Sequence, residues 1–111
     1  MGKFIIKRQK DKQFYFNLVA VNGQTILRSE AYTTKKGCLN GINAVKINAP
    51  FETNFDRRIS SNGKYYFNLK AQNSQVIGTS DLYESIAARE NGIYSVQRNA
   101  ATDEIIDNSV L

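Results

Sequence analysis

The sequence predicts an α+β fold built from two tandem β-β-β-α units that share one core. Two observations carry this. The 111-residue chain aligns with itself without a gap at an offset of 51 residues, and apolar residues in each copy switch from a period of two to a helical period. One unit alone, a three-stranded sheet with one helix, buries too little to stand by itself. Two units pairing their sheets bury a shared core.

The self-alignment is dense. Tyr15-Phe16-Asn17-Leu18 falls on Tyr66-Phe67-Asn68-Leu69, and Ala20, Asn22, Gln24, Ile26, Ser29 and Tyr32 fall on Ala71, Asn73, Gln75, Ile77, Ser80 and Tyr83. Asn40-Gly41-Ile42, Val45 and Asn48-Ala49 recur as Asn91-Gly92-Ile93, Val96 and Asn99-Ala100, and Phe4 recurs as Phe55. The natural division is residues 1–50 and 51–111, the second copy carrying a C-terminal strand at Glu104-Ile105-Ile106. The two copies form one compact unit, linked through Pro50 and Phe51.

Alternation over 14–18 turns Phe14, Phe16 and Leu18 inward and Tyr15 and Asn17 outward. In the second copy Tyr65, Phe67 and Leu69 face inward, Tyr66 and Asn68 outward. Asn22-Gly23 signals a hairpin. A two-residue loop pairs Val19 with Ile26 outside. A three-residue loop, Val21-Asn22-Gly23 with a left-handed glycine, pairs Leu18 with Ile26 in the core. The repetition of isoleucine at Ile26 and Ile77 favours the second, and leaves Ser74 strained in Gly23's place.

Helices are expected from about Thr34 to Ile47 and from about Ser85 to Arg98, with Thr34 and Ser85 as N-caps. Cys38, Ile42 and Val45 form a stripe that Ile93 and Val96 repeat. Gly41 and Gly92 lie on it at a cost of about 1 kcal/mol each relative to alanine, which points to a close approach of helix and sheet. Asn48 and Asn99 suit left-handed helix ends.

The composition is ordinary for a globular chain, with 41% hydrophobic and 23% charged residues and one cysteine. The lone Cys38 excludes an intrachain disulfide and a cysteine metal cluster. No signal peptide or membrane span is legible, so a cytoplasmic location is expected. Net charge is +5, but residues 1–50 hold nine Lys or Arg against Asp11 and Glu30, whereas residues 51–111 hold six against eight acids. Lys3, Lys7, Arg8, Lys10 and Lys12 are the densest run. They fit a patch for nucleic acid or another polyanion. They fit better an edge strand kept soluble by lysines.

These residues resemble the YegP-like family of small bacterial proteins. The resemblance is carried by Asn62-Gly63-Lys64-Tyr65-Tyr66-Phe67-Asn68-Leu69-Lys70-Ala71, by Ile77-Gly78-Thr79-Ser80-Asp81-Leu82-Tyr83 and by Glu90-Asn91-Gly92-Ile93-Tyr94-Ser95-Val96. It implies one continuous, mostly antiparallel sheet with two helices packed on one face, a pseudo-twofold axis, and C-terminal strands swapped between the repeats. It implies no activity, no cofactor and no catalytic residue.

The residue inventory argues against an enzyme. Histidine is absent, which removes the commonest general base and metal ligand. Cys38 on an apolar stripe reads as packing, and neither a phosphate loop nor a dinucleotide fingerprint is present. Asp103-Glu104 reads as a solvated tail. No cofactor and no metal site is expected. Ser29-Glu30-x-Tyr32 and Ser80-Asp81-x-Tyr83 suit turns in which serine and acid bond backbone while tyrosine packs on the helix.

The outward pairs Tyr15/Tyr66 and Asn17/Asn68, with Lys70, offer rings and amides to a sugar, peptide or nucleobase. They fit better cross-strand pairs on a wet face, although asparagine is a poor strand residue and its recurrence needs a reason. The function expected is a small non-enzymatic binding module using that face, for a peptide, a protein or a small polar ligand. Polyanion binding by the first repeat is the alternative. A monomer is expected, its duplication serving as an internal dimer.

Overall fold

The computed structural model describes residues 1–110. Its strands are β1 (Lys3–Arg8), β2 (Phe14–Val19), β3 (Thr25–Ser29), β4 (Phe55–Ile59), β5 (Tyr65–Lys70), β6 (Val76–Thr79) and β7 (Ile105–Asp107). The helices are α1 (Lys35–Asn48) and α2 (Ile86–Asn99), and a short 3-10 turn spans Glu52–Asn54. The strands form one sheet in the order β4-β5-β6-β3-β2-β1-β7. Every neighbouring pair is antiparallel except β1 and β7.

The expected symmetry is visible in the register. Arg28 on β3 pairs with Thr79 on β6, its own equivalent in the other copy. The pseudo-twofold axis therefore passes between these two residues. One apolar cluster joins Phe4, Phe16, Leu18, Phe67 and Leu69 of the sheet to Ile42, Val45, Ile93 and Val96 of the helices, so both helices share one face. The strand that follows each helix lies in the far half, as the resemblance implies. β4 follows α1 and pairs with β5, while β7 follows α2 and returns to the edge of β1.

All four hairpins close with the same three-residue turn. Ala20 N–H donates to Gln24 O at 2.9 Å and Gly23 N–H donates to Ala20 O at 2.9 Å; the same pattern recurs at Gln9–Gln13, Ser60–Lys64 and Ala71–Gln75. The third loop residue is left-handed each time: Lys12 (φ 70), Gly23 (φ 86), Gly63 (φ 81) and Ser74 (φ 68). The loop length matches expectation, but the register beyond it does not. Leu18 opposes Leu27 rather than Ile26, with a bulge between Leu18 and Val19. A bulge turns two consecutive side chains to one face. Ile26 and Leu27 are both buried in the core as a result, and Ile77 repeats the arrangement beside Gly78.

Thr34 and Ser85 cap the helices as expected, their hydroxyl oxygens accepting from Gly37 N–H and Ala88 N–H, each at 3.0 Å. The helix ends differ from expectation. Ala49 and Ala100 cap them in right-handed conformation, and Asn48 and Asn99 are the last helical residues. These asparagines are buried because they tie other segments down. Asn99 Oδ1 accepts from Gly2 N–H at 2.8 Å and Asn48 Oδ1 accepts from Asn54 Nδ2 at 3.1 Å.

The repeated helix glycines have a specific cause. The Tyr32 ring stacks on Phe16 at 6.4 Å and 12°, and Tyr83 stacks on Phe67 at 6.4 Å and 9°. Each tyrosine fills the gap between sheet and helix. A Cβ at Gly41 would lie 2.6 Å from Tyr32 Cζ, and one at Gly92 would lie 2.6 Å from Tyr83 Cζ.

Gly41→Ala or Gly92→Ala, normally favourable in a helix, should destabilise by about 1–3 kcal/mol because the methyl overpacks the tyrosine; thermal melts check this, and an unchanged or raised Tm would refute it. Ser74→Gly should raise stability by up to about 1 kcal/mol, because glycine accepts positive φ without the steric cost that serine bears. Urea titration at constant m-value reads that gain.

Candidate functional site

The sheet face away from the helices carries the candidate residues. Pairing places one row of side chains straight across it: Asp56, Asn68, Thr79, Arg28, Asn17 and Ile5, from β4 through to β1. Tyr15 lies one step along β2 from Asn17, with Lys7 directly opposite it on β1. Tyr66 lies one step along β5 from Asn68, with Arg58 directly opposite it on β4. Both tyrosines are half-buried. The pairs Tyr15/Tyr66 and Asn17/Asn68 are thus brought onto one face, related by the axis between Arg28 and Thr79, and Lys70 joins them by its parity on β5.

The two asparagines differ in environment. Thr79 Oγ1 donates to Asn68 Oδ1 at 2.7 Å. In the first copy Arg28 stands in Thr79's place; it is exposed and makes no hydrogen bond to Asn17. Asn17 is only 4% exposed, and its Oδ1 has no hydrogen-bond partner. The expectation of a wet position is corrected there: Asn17 is covered by its cross-strand neighbours. A buried amide oxygen without a donor costs about 1–3 kcal/mol.

Charge breaks the symmetry further. Asp56 Oδ2 binds Arg58 Nε at 2.7 Å and Lys70 Nζ at 3.3 Å. The Arg58 hydrogen bond, aided by Lys70, holds the Asp56 carboxyl below its ordinary range. In the first copy Ile5 occupies Asp56's place. Among the described residues Lys3, Lys7 and Arg28 make no ion pair.

The basic run of the first strand is split by the fold. Lys3 and Lys7 face outward with Tyr15. Arg8 has the parity of Phe4 and Ile6, so it turns to the helix side, where its guanidinium lies 4.7 Å from the Phe14 ring centroid. Lys10 and Lys12 sit in the exposed turn to β2. The Ser-acid-x-Tyr segments are structural through serine and tyrosine. Phe16 N–H donates to Ser29 Oγ at 2.8 Å and Phe67 N–H to Ser80 Oγ at 3.0 Å, so each hydroxyl stands in for a strand partner. Glu30 and Asp81 bond nothing through their carboxylates among the described residues.

Two features of this face escaped the sequence reading. Lys7 and Arg58 were not connected with the tyrosines, although the offset makes them equivalent to each other. The row through Arg28 and Thr79 depends on the β3–β6 register and had no local signal. Elsewhere, a groove of about 670 Å³ runs between α1 and the β5–β6 hairpin, past Glu30, Tyr32, Asn40 and Gln75. Burial raises the Tyr32 phenol above its usual value, with smaller contributions from Cys38 and Glu30. Among the described residues no helix is long and apolar enough to cross a membrane.

Fold and face together define a tandem-repeat α+β protein with a pseudo-twofold sheet surface. The comparisons give it a family. The model described as "Domain of unknown function (DUF1508)" matches twice, over residues 9–56 and 60–107, repeating at the offset found within the sequence. A UPF0339 protein of Shewanella oneidensis is 48% identical over 106 residues, covering 96% of each chain. The UPF0339 protein YegP of Escherichia coli K12 is 45% identical over 108 residues, covering 97% of this chain and 98% of its own. The solution NMR structure of E. coli yegP, described as a protein of unknown function, superposes with a TM-score of 0.94 at 44% identity, covering 99% of this chain and 95% of that one. The chain belongs to this YegP-like family, to which no enzymatic activity is assigned.

Cys38 gives a direct chemical test of its environment. Burial, with a smaller push from Asp107, raises its thiol to about 11. The thiol therefore stays protonated up to about that pH, and only the thiolate reacts. A thiol-specific disulfide reagent at pH 8 should leave the folded protein unlabelled and label it fully in denaturant; rapid labelling of the folded state would show Cys38 to be reactive.

Proposed function

We propose that this chain is a small non-enzymatic binding module whose ligand lies on the outer sheet face, against Tyr15, Asn17, Tyr66, Asn68 and Lys70. One observation carries this reading: Tyr15/Tyr66 and Asn17/Asn68 recur in both copies on the face that the core does not use. Asparagine is a poor strand residue, so its recurrence asks for a reason beyond folding. The buried, unpartnered Asn17 Oδ1 adds an acceptor that is satisfied only if ligand binding brings a neighbouring donor onto it. The absence of histidine and the protonated state of Cys38 support a binding role over a catalytic one.

A second reading, polyanion binding by the first repeat, is favoured by the uncompensated cations Lys3, Lys7 and Arg28. Both readings share the outer face. In each the protein acts as a monomer, because the duplication already pairs the two halves, and works in the cytoplasm.

Backbone amide shifts titrated with mononucleotides, sugars, acidic peptides and oligonucleotides test the reading. At least one class should move the amides of Tyr15, Asn17, Tyr66, Asn68 and Lys70 together. Silence of this set against every ligand, or shifts confined to the groove beside α1, would overturn it.

A further inference from the structure

We propose that the ligand of the outer face is single-stranded nucleic acid, each copy holding one nucleotide with its base against the tyrosine and its phosphate against the cation opposite. The inference rests on the reading of that face as the binding surface. Of the chain's 15 Lys and Arg residues, Lys7 and Arg58 alone occupy equivalent positions in the two copies. Every other cation is matched by an uncharged residue. The pair that is kept stands directly opposite Tyr15 and Tyr66.

The core needs neither member of this unit. Tyr32 and Tyr83 recur because they fill the gap beneath Gly41 and Gly92, whereas Tyr15 and Tyr66 recur on the far side of the sheet. A ring next to a cation is what an unstacked base and its phosphate require. An acidic peptide would use the cations and leave the repeated rings without a partner. Strand spacing and rise place the two tyrosines roughly 20 Å apart on a diagonal across the axis, a span that several nucleotides bridge. The axis presents the two units to a strand in opposite directions. Stacking and phosphate attraction tolerate this, since neither depends on strand polarity.

The copies should not bind equally. Arg58 is already bridged by Asp56, while Lys7 faces no acid and Arg28, the cross-strand partner of Asn17, makes no ion pair among the described residues. The first copy is therefore the stronger half.

Anisotropy of a labelled oligo(dT) of about ten nucleotides, within the span of known single-strand sites, tests this at salt between about 50 and 200 mM. Two phosphate contacts should give a log–log salt slope of about −1.4 or steeper, and Lys7→Ala should reduce it by about 0.7. Tyr15→Leu should weaken binding roughly fivefold to hundredfold while Tyr15→Phe keeps it, with melts confirming that both variants fold; Tyr66→Leu should cost less. No anisotropy change at the lowest salt overturns the inference. So does binding that depends on salt but is indifferent to Tyr15→Leu and Tyr66→Leu, which would be attraction of a polyanion by charge alone. If amide titration finds an acidic peptide or a sugar on the same face and oligo(dT) does not bind, this inference fails and the binding-module reading stands.

Discussion

The placement of a tyrosine ring between a sheet phenylalanine and a helix glycine governs much of this structure. It happens twice, at Phe16–Tyr32–Gly41 and at Phe67–Tyr83–Gly92. To reach that gap the chain must leave the sheet just before the tyrosine. The strand it abandons then lacks an acceptor, and the Ser29 or Ser80 hydroxyl supplies one to Phe16 or Phe67 N–H. Tyr32 keeps one backbone bridge to Phe14, with both hydrogen bonds at 2.7 Å, before the helix begins at its threonine cap. Serine, tyrosine and glycine are therefore one device, although some twelve positions separate the first from the last.

The two halves solve their edge problem differently. An exposed strand edge invites pairing with another chain. On one side β7 covers β1, with Phe4 N–H donating to Glu104 O at 3.0 Å and Asn108 N–H donating to Ile6 O at 2.8 Å. Lys35 anchors that strand through Asp107 at 2.7 Å. On the other side, among the described residues, no strand covers β4. Side chains blunt it: Arg89 donates to Arg58 O at 3.2 Å, and Arg57 reaches Glu90 and Glu52. The sheet thus ends in a strand at one edge and in ion pairs at the other.

What was legible in the sequence follows from the range of the interactions involved. Strand faces, turn length and both N-caps depend on neighbours a few residues away, and these could be read from Phe14 to Leu18, Asn22-Gly23, Thr34 and Ser85. The repeat extended that reach by supplying each position with a second example. The Ile26 bulge escaped because it depends on whether the core accepts two adjacent side chains, a matter decided by the helices above. Asn48 and Asn99 were misplaced because their partners, Asn54 and Gly2, come from another segment or the far terminus. The candidate face was half legible. Parity alone separates Arg8 from Lys7, but the burial of Asn17 requires knowing that Ile5 and Arg28 flank it.

Symmetry separates what folding requires from what it leaves free. Residues that recur on the inner face are accounted for by the core, the stacked rings and the turns. On the outer face Tyr15/Tyr66, Asn17/Asn68 and Lys7/Arg58 recur without such an account, and these three pairs lie side by side. Their neighbours are where the copies part: Ile5 against Asp56, Arg28 against Thr79, Val19 against Lys70. Asp56 joins Arg58 and Lys70 into a closed ion-pair group, and its lowered pKa keeps it ionised, so any anion reaching the second copy must displace a carboxylate already in place. At the first copy no such competitor stands in the row. The duplication therefore retains the ring and the cation in both halves while leaving only one of them electrostatically open.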